Sequence, residues 1–174
     1  MESSPQASNI RKDGIYQIAA NVAKQLEYSP NGDINSAINI AGGVIEYRDP
    51  LDLNDGDGGS MIINSVRDFK IFLSSYTSAN RDRFTVVHEL GHYVLHYLIR
   101  KKDSGQKLGR MVCTRAGEGR IEWEANWFAA GFLMPENAFR SIFSEESGDI
   151  GLIAERFGVS RSAAQTRADV LGLV

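Results

Sequence analysis

One cysteine, Cys113, and three histidines are all the thiol and imidazole that 174 residues contain. A lone thiol excludes an internal disulfide and fits a reducing cytoplasm. No apolar run approaches the roughly 18 residues of a membrane span. Residues 1–9 are polar, lack the apolar stretch a signal peptide needs, and read as a disordered arm. No internal repeat is visible. Together these absences lead to the expectation of a soluble cytoplasmic protein with no membrane partner. An apolar content of 43% is ordinary for a globular chain, and the length suits one domain with at most a small helical appendage.

The net charge of −3 conceals an uneven distribution. Arg100, Lys101, Lys102, Lys107, Arg110, Arg115 and Arg120 face only Asp103 and Glu118 within the same stretch. Such a run is commonly a solvated loop, and it is also what a polyanion such as nucleic acid would contact.

Apolar spacing predicts an amphipathic helix over residues 10–27 and a short one over 34–41. Strands follow at 44–48, 60–66 and 69–75, with a turn-rich loop between the first two. That loop, Asp52-Leu53-Asn54-Asp55-Gly56-Asp57-Gly58, fails as an EF-hand. Counted from Asp52, its sixth residue is Asp57 and its twelfth is Ile63, where glycine and glutamate are needed. Ser78 is a good N-cap for a long helix ending near Arg100. Residues 103–119 read as an irregular connection with four glycines. Helix resumes near Arg120, stops before Pro135, and a short helix spans about 136–143. Residues 150–172 read as helix, turn at Phe157-Gly158-Val159-Ser160, helix.

His88-Glu89-Leu90-Gly91-His92 lies on the long helix and reads His-Glu-x-x-His. Residues four apart on a helix share a face, so His88 and His92 can point at one metal ion while Glu89 sits beside it. That is the zinc hydrolase pattern: two imidazole ligands and a carboxylate to take the proton of an attacking water. A third protein ligand is required. His96 lies roughly 12 Å along the axis from His88, too far for bonds of about 2 Å, and reads as a hydrogen-bonded helix histidine. The remaining donors of the right type are Glu122 and Glu124. Glu122 shares a face with Asn126, whose amide is suited to orient a ligating imidazole, and is preferred. Glu124 stands about 200° around the helix and remains the alternative. A His, His, Glu set favours one zinc ion by ligand type.

Two blocks carry a family resemblance. Arg83-Phe84-Thr85 running into His88–His92 and His96 is the first. Glu122-x-Glu124-Ala125-Asn126-x-Phe128-Ala129-Ala130, leading to Leu133-Met134-Pro135, is the second. Together they resemble the ImmA/IrrE family of metallopeptidases, with a layout similar from about Ile10 to the C-terminus. The resemblance implies a gluzincin-type zinc peptidase, often encoded beside a helix-turn-helix repressor that it cleaves. It implies His88, His92 and Glu122 as ligands and Glu89 as the base. Related gluzincins carry Asp where Asn126 stands.

Cys113 falls in the basic connection. It reads as a buried small residue or as an inhibitory fourth zinc ligand, its thiolate favoured by Arg110 and Arg115. On the second reading, a polyanion such as single-stranded DNA would draw it away and activate the enzyme. The C-terminal helices look like a helix-turn-helix core but offer only Arg161 and Arg167 to DNA, so a structural or substrate-binding role is expected.

The expected fold is α+β, a small antiparallel sheet packed on the His-Glu-x-x-His helix. Residues 10–145 form the peptidase domain and 146–174 a helical subdomain packed on it. The expected function is endopeptidase cleavage of a regulatory protein in a stress, DNA-damage or mobile-element and phage-defence response. A zinc-bearing regulatory module that binds DNA or a partner without turnover is the alternative.

Overall fold

The computed structural model describes residues 2–49, 59–75, 77–105, 108–114 and 119–174. The loop Asp52–Gly58, with its calcium test, and the basic residues Lys107 and Arg115 lie outside them. The architecture is α+β. Helices α1 (Lys12–Gln25) and α2 (Ile34–Ala41) come first, after the short strand β1 (Glu2–Ser3). Strands β2 (Gly43–Arg48), β3 (Gly59–Ser65) and β4 (Asp68–Ser74) then lead to α3 (Ala79–Gly91). A π-helical stretch, His92–Ile99, continues α3 directly and passes into α4 (Arg100–Ser104). After β5 (Arg110–Thr114) come α5 (Arg120–Leu133), α6 (Glu136–Glu145), α7 (Ile150–Phe157) and α8 (Arg161–Val170). No helix among the described residues is long and apolar enough to cross a membrane.

The five strands form one sheet in the order β1-β5-β3-β4-β2. It is mixed rather than purely antiparallel. β3 and β4 meet across a two-residue turn at Val66-Arg67 and must run antiparallel, as β3 and β5 also do. β2 reaches the far edge of β4 after a longer connection and pairs with it in parallel, and β1 pairs in parallel with β5. Register puts Met61 opposite both Ile71 and Cys113, and Ile63 opposite both Phe69 and Met111. All six are buried, because period-two alternation collects them on the sheet face that joins the core with Val86, Val87 and Leu90 of α3.

Two segments differ from expectation. Residues 103–119 are not wholly irregular, since β5 lies within them. The N-terminal arm is also placed. Glu2–Ser3 extends the sheet, and the carbonyl of Ser4 accepts from Arg100 Nη1 at 2.7 Å. Both depend on partners about fifty to a hundred residues away in sequence, which local spacing does not report.

The site depends on how closely α5 lies against α3. Gly91 makes that approach available. A Cβ added there would stand 3.1 Å from Phe128 Cβ and 3.2 Å from Ala125 Cα. Ala125 and Phe128 are fully buried and cannot yield freely. Gly91→Ala therefore sets a helix-propensity gain of about 1 kcal/mol against an overpacking cost of about 1–3 kcal/mol. A net loss is expected, visible as a lower urea midpoint at unchanged slope. A raised midpoint would show that α5 yields and that the close approach is not required.

Candidate metal centre

Ser78 caps α3 as expected, its side chain accepting from the Arg81 backbone N–H. The helix carries His88, Glu89 and, at its end, His92 toward α5. Glu122 and Asn126 lie one turn apart near the start of α5. Three donor atoms converge. His88 Nε2 lies 3.0 Å from Glu122 Oε2 and 3.1 Å from His92 Nε2, and His92 Nε2 lies 3.4 Å from Glu122 Oε1. Among the described residues these three form the group of His, Cys and acidic side chains spaced to hold a metal. Tetrahedral bonds of about 2.0–2.1 Å place neighbouring donors about 3.3 Å apart. The residues fit.

The tautomers follow from the outer contacts. His88 Nδ1 donates to Asn126 Oδ1 at 2.9 Å, which leaves the lone pair on Nε2. His96 is fully buried, and its pKa is lowered to about 4 by burial and by His92, so its ring is neutral near pH 7. Its Nε2 lies 3.0 Å from Glu124 Oε2. An ionised carboxylate only accepts, so His96 Nε2 donates and His96 Nδ1 is an acceptor. His92 Nδ1, 3.0 Å away, donates to it, and the His92 lone pair also falls on Nε2. Burial and the neighbouring His92 lower the His88 pKa despite Glu122. The neighbouring His92, with His88, outweighs burial and holds Glu122 below the ordinary carboxylate value. Two lone pairs and one carboxylate thus face a common centre with no proton of their own. A cation satisfies them.

Glu124, the alternative ligand, lies outside that trio. It is fully buried and accepts from Ser8 N and Ser8 Oγ at 2.8 Å, Asn9 N at 3.0 Å and Arg120 Nε at 2.8 Å, besides His96. Burial opposes its ionisation, but the hydrogen bonds from Arg120, Ser8 and His96 prevail and lower its pKa. Sequence reasoning missed this relay. The four-residue spacings His92–His96 and Arg120–Glu124 were available as signals. The contribution of Ser8 and Asn9 was not.

Glu89 is buried in a cleft of roughly 270 Å³ that His88, Glu122, Phe84, Arg81 and Thr114 also line. Cys113 requires a correction. It sits on β5, 2% exposed, not on a mobile basic loop. Burial, then the charges of Glu89 and Glu122, push its thiol well up, and it is not among the grouped metal donors. The basic run also disperses. Arg100 is spent on Ser4, and Arg120 on Glu124 and the Ile10 carbonyl at 2.7 Å. Lys102 is exposed and Lys101 half-buried, while Arg110 lies on β5.

An α+β domain with a His-Glu-x-x-His helix and a His, His, Glu donor set is built as metallopeptidases are. The chain belongs to the IrrE N-terminal-like domain family, Peptidase M78, whose profile matches residues 51–169. That family is known for zinc-dependent peptidase domains related to regulators. A solved structure, a Mycobacterium tuberculosis transcriptional regulator, shares the fold with a TM-score of 0.62 at 18% identity. The alignment covers 93% of this chain and 48% of that one, so the chain spans about half the length of that relative. No curated protein sequence matches.

Glu124→Gln should leave the three metal donors in place, lower stability at pH 7 and lessen the loss of stability on acidification. The folded pKa of Glu124 is depressed, so its stabilisation is complete above the ordinary value near 4.5 and fades as pH falls through the lower folded value. Thermal melts from pH 7 to 3 should show a shallower acid limb in the variant, and parallel limbs would remove the assignment. Cys113 should resist iodoacetamide in the native state and react promptly in guanidinium. Fast native labelling would return it to the surface.

Proposed function

We propose that the protein is a zinc-dependent endopeptidase that cuts a regulatory protein, with a helix-turn-helix repressor as the expected substrate. The observation that carries this reading is the convergence of three proton-free donors at one cleft that also holds Glu89. A binding module needs only the donors. A buried carboxylate beside them, in a cleft open to substrate, is what hydrolysis adds.

When bound, zinc supplies Lewis acidity and draws the pKa of a water toward about 7. Glu89 then accepts the proton of the attacking water and returns it to the leaving amine. Asn126 and the His96–Glu124 relay keep both imidazoles in the tautomer that presents Nε2. His96, held neutral and hydrogen-bonded on both nitrogens, orients His92 without ligating. Arg81 lines the same cleft and is the guanidinium there that could meet charge developing on a carbonyl oxygen.

Membership in a regulator-related family supports a regulatory substrate and a role in a stress, DNA-damage or mobile-element response in the cytoplasm. Among the described residues, polyanion activation by single-stranded DNA rests chiefly on the lysines Lys101 and Lys102, since Arg100 and Arg120 bond to the Ser4 and Ile10 carbonyls. A non-catalytic zinc module is favoured by one observation, the structural neighbour's name as a transcriptional regulator. Glu89→Gln separates the two. Zinc content and partner binding should be unchanged while cleavage of a co-expressed repressor falls by about 10²–10⁴, the usual range for a general base. Partner-linked effects that survive this substitution in full would establish the module instead.

A further inference from the structure

A second cavity, of roughly 460 Å³, lies between α1, α5 and α8. Phe84 lines both this cavity and the catalytic cleft, and Asn126, which orients His88, stands on its wall. The two cavities thus share a wall residue. Tyr16, Trp127 and Met134 supply apolar walls, and no carboxylate is among the residues that line it.

Arg167 lines this cavity from α8 and is 2% exposed. Its Nε donates to the Met134 carbonyl at 3.0 Å, and its guanidinium carbon lies 4.4 Å from the centre of the Tyr16 ring. Its Nη1 is buried without a hydrogen-bond partner. Tyr16 and then Glu136 act favourably on its charge, and the Glu136 carboxylate is taken by Arg140 Nε at 2.8 Å. An unsatisfied buried donor costs about 1–3 kcal/mol, and more when charged. A guanidinium matches a carboxylate in fork geometry, and aromatic walls suit the methylenes that carry it.

We propose that this cavity is a specificity pocket that takes a glutamate side chain of the substrate, its carboxylate received by Arg167 and its methylenes by Trp127 and Phe84. The proposal rests on the peptidase reading, which it deepens by naming a substrate class. The Tyr16 ring lies against the guanidinium and the Met134 carbonyl accepts from its Nε, so the site is organised before substrate arrives. Lys12 at the rim adds a second positive charge that draws the acidic side chain inward.

The test uses the full chain, zinc-loaded, with Glu89→Gln so that probes are not consumed. The probes are acetylated and amidated octapeptides of Ala, Leu and Ser with one Glu, its position scanned, each beside its Gln twin. Binding is followed by fluorescence anisotropy of a labelled peptide. At one position the Glu peptide should bind at least tenfold tighter than its twin, and Arg167→Met should abolish that preference. Should that variant not fold, Ala163→Phe on the cavity wall keeps Arg167 and fills the space, and it should remove Glu binding at unchanged zinc content. Equal affinity of the twins, no binding of either at millimolar concentration, or a preference that survives Arg167→Met would overturn the pocket. Tighter binding of a Glu-free peptide with an open C-terminal carboxylate would overturn the side-chain assignment. Cleavage by the protein with Glu89 intact is read separately by mass spectrometry. Its absence, with the Glu preference intact, would sink the peptidase reading and leave the pocket standing.

Discussion

The metal centre sets like against like, and the rest of the molecule is arranged to hold it so. Two imidazole lone pairs and a carboxylate stand 3.0–3.4 Å apart. Without a cation, nothing among these atoms draws them together. The force that does so comes from elsewhere, chiefly from the α3–α5 contact. Val87, Leu90, Ala125, Phe128 and Ala129 are fully buried there. Each large apolar side chain contributes about 1.5–3 kcal/mol on burial, so a few of them outweigh the repulsion of a preformed site. Gly91 then determines how near the two helices come. A metal ion entering the site meets donors already spaced for it and relieves a cost that packing has already covered.

Position is half of the requirement, since a ligating imidazole must also carry its lone pair on the correct nitrogen. Asn126 secures this for His88 in one step. For His92 the structure uses two, His96 and then Glu124, and Glu124 is in turn held by Ser8, Asn9 and Arg120. Asn126 is neutral where related sites carry an ionised group, so the charged outer partner of this centre belongs to the other histidine. The N-terminal arm thereby becomes part of the metal site's support. Two arginines of the basic stretch serve the same end. Arg100 and Arg120 bind the arm's carbonyls, so their charge acts inside the molecule rather than on an external polyanion.

Features governed by near neighbours were legible in the sequence. The boundaries of α2, α5, α7 and α8 follow from Asp33, Pro135, Gly158 and Ser160, each of which acts within four residues of where it stands. The pairing of His88 with His92, and the separation of His96 from His88, follow from helical rise alone. Whether Glu122 or Glu124 faces the histidines depends on how α5 is rotated against α3, which helical spacing on one element does not specify. Cys113 shows the harder limit. Its flanking glycines and arginines suggest a mobile charged loop, yet strand pairing with residues fifty positions earlier buries it. The π-helical winding after His92 left no mark in the apolar pattern, because that segment is apolar nearly all round.

The C-terminal helices show how the same local shape serves a different purpose. Helix, αL glycine, helix is the form of a DNA-reading unit, and α8 would be its reading helix. Such a helix presents its polar side chains outward. Here Ala164, Arg167 and Ala168 of α8 face inward and are buried, while Arg161 stays exposed. A cation buried on the inner face cannot meet a phosphate backbone outside. It contributes instead to the wall that α8 shares with α1 and α5, adjoining the catalytic cleft through Phe84. The C-terminal helices therefore pack as part of the same core as the metal-binding helices. Their packing shapes the second cavity, and it leaves the Arg167 guanidinium on that cavity's wall.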